Sequence, residues 1–209
     1  MVSAISRLAQ AATVSNPSRP LQGLAGAVLL QNLSWDALEK LDVDLVGTGA
    51  RLTYLDGYLE IMSPPSEAHE VPKKTIAQLL EAYMRLKQIR FYGRGSTTIG
   101  LKTLGARKEP DESYCIGERK QIPDFALEVT VTSGGIDVLE IYKRVGVSEV
   151  WFWEDGVILI YCLREAGYEL VNKSELLPNL DIRSLEFHSR MADQYDAINA
   201  FIESLNPAS

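Results

Sequence analysis

The stretch "EPDESYCIGERKQIPDFALEVTVTSGG", residues 109–135, decides how this chain folds. It contains Pro-Asp twice, at 110–111 and 123–124, and it carries Glu128 inside an apolar run. Taken as a strand, its second half sorts by period two. Phe125, Leu127, Val129 and Val131 fall on one face, and Asp124, Ala126, Glu128 and Thr130 on the other. Four residues of strand span about 13 Å, whereas Mg²⁺ sits about 2.1 Å from its oxygen ligands. Asp124 and Glu128 therefore share a face without sharing an ion, and Asp124 marks the start of the strand.

Asp111 is the better partner for Glu128. The loop "GERKQ" can return the chain antiparallel to the preceding segment, and paired strands lie about 4.8 Å apart. Across such a pair Asp111 and Glu128 come within reach of one hard cation, which carboxylate oxygens suit. The plainer reading of Asp111 is an Asx-type turn after Pro110. Glu128, between Leu127 and Val129, needs a metal, a proton or a partner if its strand is central, because burying a lone carboxylate costs several kcal/mol.

Outward from this stretch the punctuation is clear. Ser34 caps a short helix in "SWDALEKLD". Asp56-Gly57 and Asp155-Gly156 each join two alternating segments and predict hairpins. Ser63-Pro64-Pro65 ends a strand and opens the longest helix, with Ile76, Leu79, Leu80, Tyr83 and Leu86 at helical spacing. "RFYGRGSTTIGLKTL" adds strands, "YELVNKSELLPNLDI" a short strand and loop, and "MADQYDAINAFIESL" a closing amphipathic helix. Residues 1–32 read as an N-terminal arm and 33–209 as one domain of α/β (α+β) class, a mixed sheet flanked by helices with added hairpins.

Composition narrows the function classes. The 209 residues carry 46% hydrophobic and 23% charged side chains, and no apolar run is long enough to span a bilayer. Cys115 and Cys162 fall in unrelated segments, which excludes a disulfide framework or a cysteine-rich zinc site and points to a reducing, cytoplasmic setting. The net charge is −7, yet between Val71 and Lys108 nine Lys or Arg face one acid, Glu81. That window is either a solvated helix face or a polyanion-facing side of the molecule. Glu60, in the first hairpin's alternation, reads as solvent-facing, and Trp151 and Trp153 as one strand face packed on a helix or a second subunit.

The order "DGYLEIMSPPSEAHE", "EPDESY", "PDFALEV", "GGIDVLEIYKRVGVSEVWFWED" resembles the Uma-two family of the PD-(D/E)xK restriction-endonuclease-like superfamily, over roughly residues 33–185. The resemblance implies a restriction-endonuclease-like fold, a Mg²⁺ or Mn²⁺ site, DNA endonuclease activity and a homodimer. It places the two family acids on Asp111 and Glu128 and the family histidine on His69. The usual nuclease lysine falls on Thr130 and the Uma-two lysine on Val138, so the expected cation is absent from both places. Lys143 is the nearest substitute, although five helical residues turn it some 140° from Val138; Lys73 or Lys74 could approach from another side. Two functions follow: a metal-dependent endonuclease using Asp111, Glu128, His69 and Lys143, with metal on Asp111 and Glu128, or an inactive member kept as a nucleic-acid-binding or assembly module.

Overall fold

The computed structural model describes residues 27–129 and 136–205. Two sheets organise it. The first runs β1 (Ala27–Leu30), β3 (Tyr58–Met62), β2 (Arg51–Leu55), β6 (Ala106–Lys108) and β5 (Ile99–Leu101), all antiparallel. The second, six-stranded, runs β11 (Gly167–Val171), β10 (Val157–Arg164), β9 (Glu149–Glu154), β8 (Phe125–Val129), β7 (Glu112–Ile116) and β4 (Phe91–Gly93). Its one parallel pair is β8 with β9. A parallel pair needs a crossover, and the helix α3 (Val138–Val145) lies in that crossover. The result is a mixed α+β arrangement of the restriction-endonuclease-like kind.

Local signals explain most of the elements. Helix α1 (Trp35–Asp44) starts where the Ser34 hydroxyl accepts from the Ala37 amide at 3.2 Å. Asp56 and Gly57 both take positive φ, 45° and 88°, as do Asp155 and Gly156 at 48° and 87°, the backbone that a two-residue hairpin turn requires. Helix α2 (Glu67–Leu86) buries Ile76, Leu79, Leu80 and Tyr83, while Leu86 at its end is exposed. Helix α5 (Gln194–Leu205) closes the chain. Helix α4 (Ile182–Ser189) was not expected. Its signal is short, an Asp181 carboxylate accepting from the Arg183 and Ser184 amides, and it follows directly on a segment that reads as loop.

The six-stranded sheet is buried on both faces. Phe125, Leu127 and Val129 join α2, α4 and α5 in the main core, where Tyr114, Phe125 and Trp151 stack with centroids 4.9 and 5.3 Å apart. Ala126, from the opposite face, packs with Tyr142, Val145 and Ile99 beneath α3. The period-two sorting of β8 is thus observed, with helix on one side and helix plus a second sheet on the other.

One expectation changes here, and one open alternative closes. Glu60 is not solvent-facing: it is buried on β3 between Leu59 and Ile61, which are buried too, so both faces of the strand are covered there and alternation does not separate core from water. Trp151 is fully buried and the Trp153 indole donates to Ser189 Oγ of α4 at 3.1 Å, so the strand packs on a helix. Of the two packings expected for that strand face, a helix or a second subunit, the helix is the one observed. Part of the expected N-terminal arm, Ala27–Leu30, is a strand paired with β3; residues 1–26 lie outside the described residues.

Candidate active site

The antiparallel pairing of β7 with β8 sets Glu112 opposite Leu127. One step further along that register Asp111 stands opposite Glu128. Asp124, by contrast, closes the loop: its carboxylate accepts from the Ile116 amide and from Lys120 at 2.7 Å. The two Pro-Asp copies therefore do different work, and the separation expected from strand length is observed.

Asp111 is nearly fully buried and held from three sides. One carboxylate oxygen accepts from the Val129 amide at 2.7 Å and lies 3.0 Å from His69 Nε2, on the first turn of α2. The other accepts from Arg51 Nη1, while Arg51 Nη2 donates to the carbonyls of Glu109 and Pro110 at 2.7 and 2.9 Å. Burial alone would raise the Asp111 carboxyl, but the His69 hydrogen bond and the charges of Arg51 and Lys108 hold it below the usual carboxylate range. An ionised Asp111 can only accept, so His69 Nε2 carries the proton between them. Nδ1 of that ring lies 3.5 Å from Glu70 Oε1 and makes no hydrogen bond among the described residues.

Glu128 has a different surrounding. Its Oε1 accepts from the Tyr142 hydroxyl of α3, and its Oε2 lies 3.2 Å from Lys108 Nζ at the end of β6. Burial pushes its carboxyl above the ordinary value, with the charge of Asp111 adding to the rise and Lys108, Tyr142 and Arg51 opposing it. Burial beside Glu128 likewise raises Tyr142 well above its ordinary range, which keeps the phenol a neutral donor. Two neighbouring carboxylates are thus shifted in opposite directions, the arrangement that separates their roles in acid–base chemistry.

The structure brings Asp111, Glu128 and His69 together. It does not bring Lys143, which is exposed with Nζ 3.8 Å from Glu140 Oε2 on its own helix. Lys73 pairs with Glu70 at 2.6 Å. Val138 is half-buried against the Ala126–Tyr142 cluster, and Thr130 lies outside the described residues. Sequence reasoning missed Arg51, Lys108 and Tyr142 as site neighbours. Tyr142 stood in the quoted pattern as a landmark; Lys108 was visible only as one member of the basic window.

That window is not a uniform basic face. Lys102 and Arg107 pair with Asp36 and Asp42 at 2.6 and 2.9 Å, and Lys73 and Lys108 are paired as above. Lys74, Arg85, Lys87 and Arg90 remain exposed on or just beyond α2.

Residues 35–192, three quarters of the chain, match the sequence model of the family Uma2, described as "Putative restriction endonuclease". The chain belongs to the Uma2 family. No curated protein matches it. Uma2 membership bears on what the carboxylates can hold. Hard oxygen donors on neighbouring strands suit Mg²⁺ or Mn²⁺, ions commonly bound through one or two carboxylates with water completing the shell. Among the described residues no group of three or more His, Cys, Asp and Glu side chains is arranged for a metal. Asp111 and Glu128 supply donors of this type, with their oxygens engaged by Arg51, His69, the Val129 amide, Tyr142 and Lys108, so an ion would have to share them with those partners. No helix among the described residues is long and apolar enough to cross a membrane.

Proposed function

We propose that this Uma2 protein is a divalent-metal-dependent endonuclease that hydrolyses phosphodiester bonds in DNA. The observation that carries this is the juxtaposition of Asp111 and Glu128 at the adjoining ends of β7 and β8, with His69 on Asp111. Asp111 and Glu128 would hold Mg²⁺ or Mn²⁺, which when bound supplies Lewis acidity at the phosphate and a more acidic water. His69 and the Val129 amide fix the orientation of the Asp111 carboxylate. Tyr142 fixes Glu128. Arg51, tied to two backbone carbonyls, holds the Glu109–Asp111 turn in place. The exposed cations Lys74, Arg85, Lys87 and Arg90 offer contacts to a phosphate backbone.

A second reading, an inactive member serving as a binding or assembly module, is favoured by Val138 and by the balance of two acids against Arg51 and Lys108. Supercoiled plasmid with Mn²⁺ decides between them. The wild type should nick it, and Asp111→Ala should lower the rate at least about a hundredfold, the scale of losing a preorganised electrostatic contact to the transition state. Equal nicking by both proteins would assign the activity to a contaminant and leave the inactive reading standing.

A further inference from the structure

We infer that Lys108 supplies the cation of the nuclease site, approaching Glu128 from β6 of the five-stranded sheet in place of the lysine that Val138 lacks. The inference rests on the nuclease reading of Asp111 and Glu128 and adds a catalytic residue to it. Three observations carry it.

First, Lys108 is 3% exposed and its ammonium lies 3.2 Å from Glu128 Oε2. Taking an ammonium out of water is expensive, and a buried ion pair is often no more stable than apolar residues of the same volume. Stability alone gives little reason for a lysine here. Second, positions 108 and 138 border the same carboxylate from two sides. Val138 lies one helical turn before Tyr142, which bonds Glu128, and packs against the cluster that contains Tyr142 and Ala126, a neighbour of Glu128 on its face of β8. Lys108 reaches Glu128 from β6, against which α3 packs. Third, the other cation, Arg51, has its guanidinium divided between Asp111 and two backbone carbonyls of the Glu109–Asp111 turn, and no contact joins it to Glu128 among the described hydrogen bonds and ion pairs. Lys108 carries three donors on a flexible stem, and one carboxylate oxygen does not use them all.

In hydrolysis the oxygen of water bonds to phosphorus as the ester P–O bond breaks. One water proton ends on the leaving oxygen and the other stays on the new phosphate hydroxyl. Lys108 stays protonated throughout. It orients the water and offsets the charge that builds on the non-bridging oxygens, which an isopropyl group at 138 cannot do.

The test compares wild type, Lys108→Met, Lys108→Arg and Lys108→Met/Val138→Lys in plasmid nicking, Mn²⁺ calorimetry and thermal melting. Lys108→Met should lose nicking at least about a hundredfold while binding Mn²⁺ as tightly as wild type or more so, because one positive charge beside Glu128 is gone. The double variant should recover at least about tenfold of that loss. Lys108→Arg keeps charge and fold but not the compact ammonium, and should nick at least about tenfold more slowly than wild type; it carries the test if Lys108→Met melts below the assay temperature. Undiminished nicking by Lys108→Met or Lys108→Arg would overturn the inference and leave the nuclease reading intact. Loss of both nicking and Mn²⁺ binding in a folded Lys108→Met, with no rescue by Val138→Lys, would make Lys108 a structural counter-ion. A wild type that neither binds Mn²⁺ nor nicks would overturn the nuclease reading itself, and this inference with it.

Discussion

Two buried carboxylate centres lie on adjacent strands of the same sheet, and only one of them has cations among its partners. Glu149, at the start of β9, is 1% exposed and accepts from four neutral donors: the Trp151 indole and Ser174 hydroxyl at 2.8 Å, and the Glu175 and Leu176 amides at 2.6 and 2.9 Å. Asp111 and Glu128, on and beside β7 and β8, are held chiefly by side chains, two of them cationic: Arg51, Lys108, a histidine and a phenol, with the Val129 amide the one backbone donor. Neutral dipoles fixed in backbone and core solvate a charge permanently. Cationic side chains compensate it exchangeably, because another cation or a phosphate can take their place. Burial of an acid therefore does not by itself mark a reactive centre; on the nuclease reading proposed above, the cationic partners distinguish the two.

The sharpest way to break that contrast is Glu149→Ala. Removing the carboxylate strands two amides, an indole N–H and a hydroxyl that surround it, each unpaired buried group costing about 1–3 kcal/mol. With partial relaxation, unfolding in urea should show a loss of roughly 3–5 kcal/mol, while the molecules that remain folded nick at the wild-type rate. A stable Glu149→Ala protein that has lost nicking would reverse the assignment of the two centres.

How far the site was legible follows the same division. The hairpins at Asp56-Gly57 and Asp155-Gly156, the Ser34 cap and the two faces of β8 were legible because each rests on residues within a few positions of one another. The opposition of Asp111 and Glu128 was legible because a short loop joins their strands. Lys108 and Arg51 were not. They reach the acids from the other sheet, a relation that no local periodicity encodes. Glu60 failed for a related reason: alternation predicts exposure only where one face of a sheet meets water. The lysine expected on α3 was sought along that helix, at Lys143, when the nearby cation was across the fold.

Tyr142→Phe sharpens the comparison with a smaller effect. It deletes one hydrogen bond to a charged oxygen and leaves Lys108 on the other. Such bonds contribute about 1.5–3 kcal/mol, so the urea midpoint should fall by less than in Glu149→Ala with an unchanged slope. A larger loss than that of Glu149→Ala would mean that Glu128, not Glu149, is the carboxylate on which the sheet depends.

The smallest effect is confined to acid, and its sign differs between the two members of the pair. Asp111 is held below its ordinary value by His69, Arg51 and Lys108 against the opposing effect of burial. Its contribution to stability is therefore complete above the unfolded value near pH 4 and is lost as pH falls through the lower folded value. Glu128 is raised, chiefly by burial. Its contribution is complete below its unfolded value, near pH 4 as well, and lost as pH rises through the folded one. Stability should accordingly gain from Glu128 as pH falls toward about 4 and lose from Asp111 below it. Asp111→Asn removes the second slope and lessens the rise of Glu128, which acts above about pH 4, so its urea midpoints between about pH 4 and pH 2 should decline less steeply than those of wild type. Parallel declines in the two proteins would mean that the cations around Asp111 do not hold it ionised, and the exchangeable character assigned to this centre would lose its electrostatic basis.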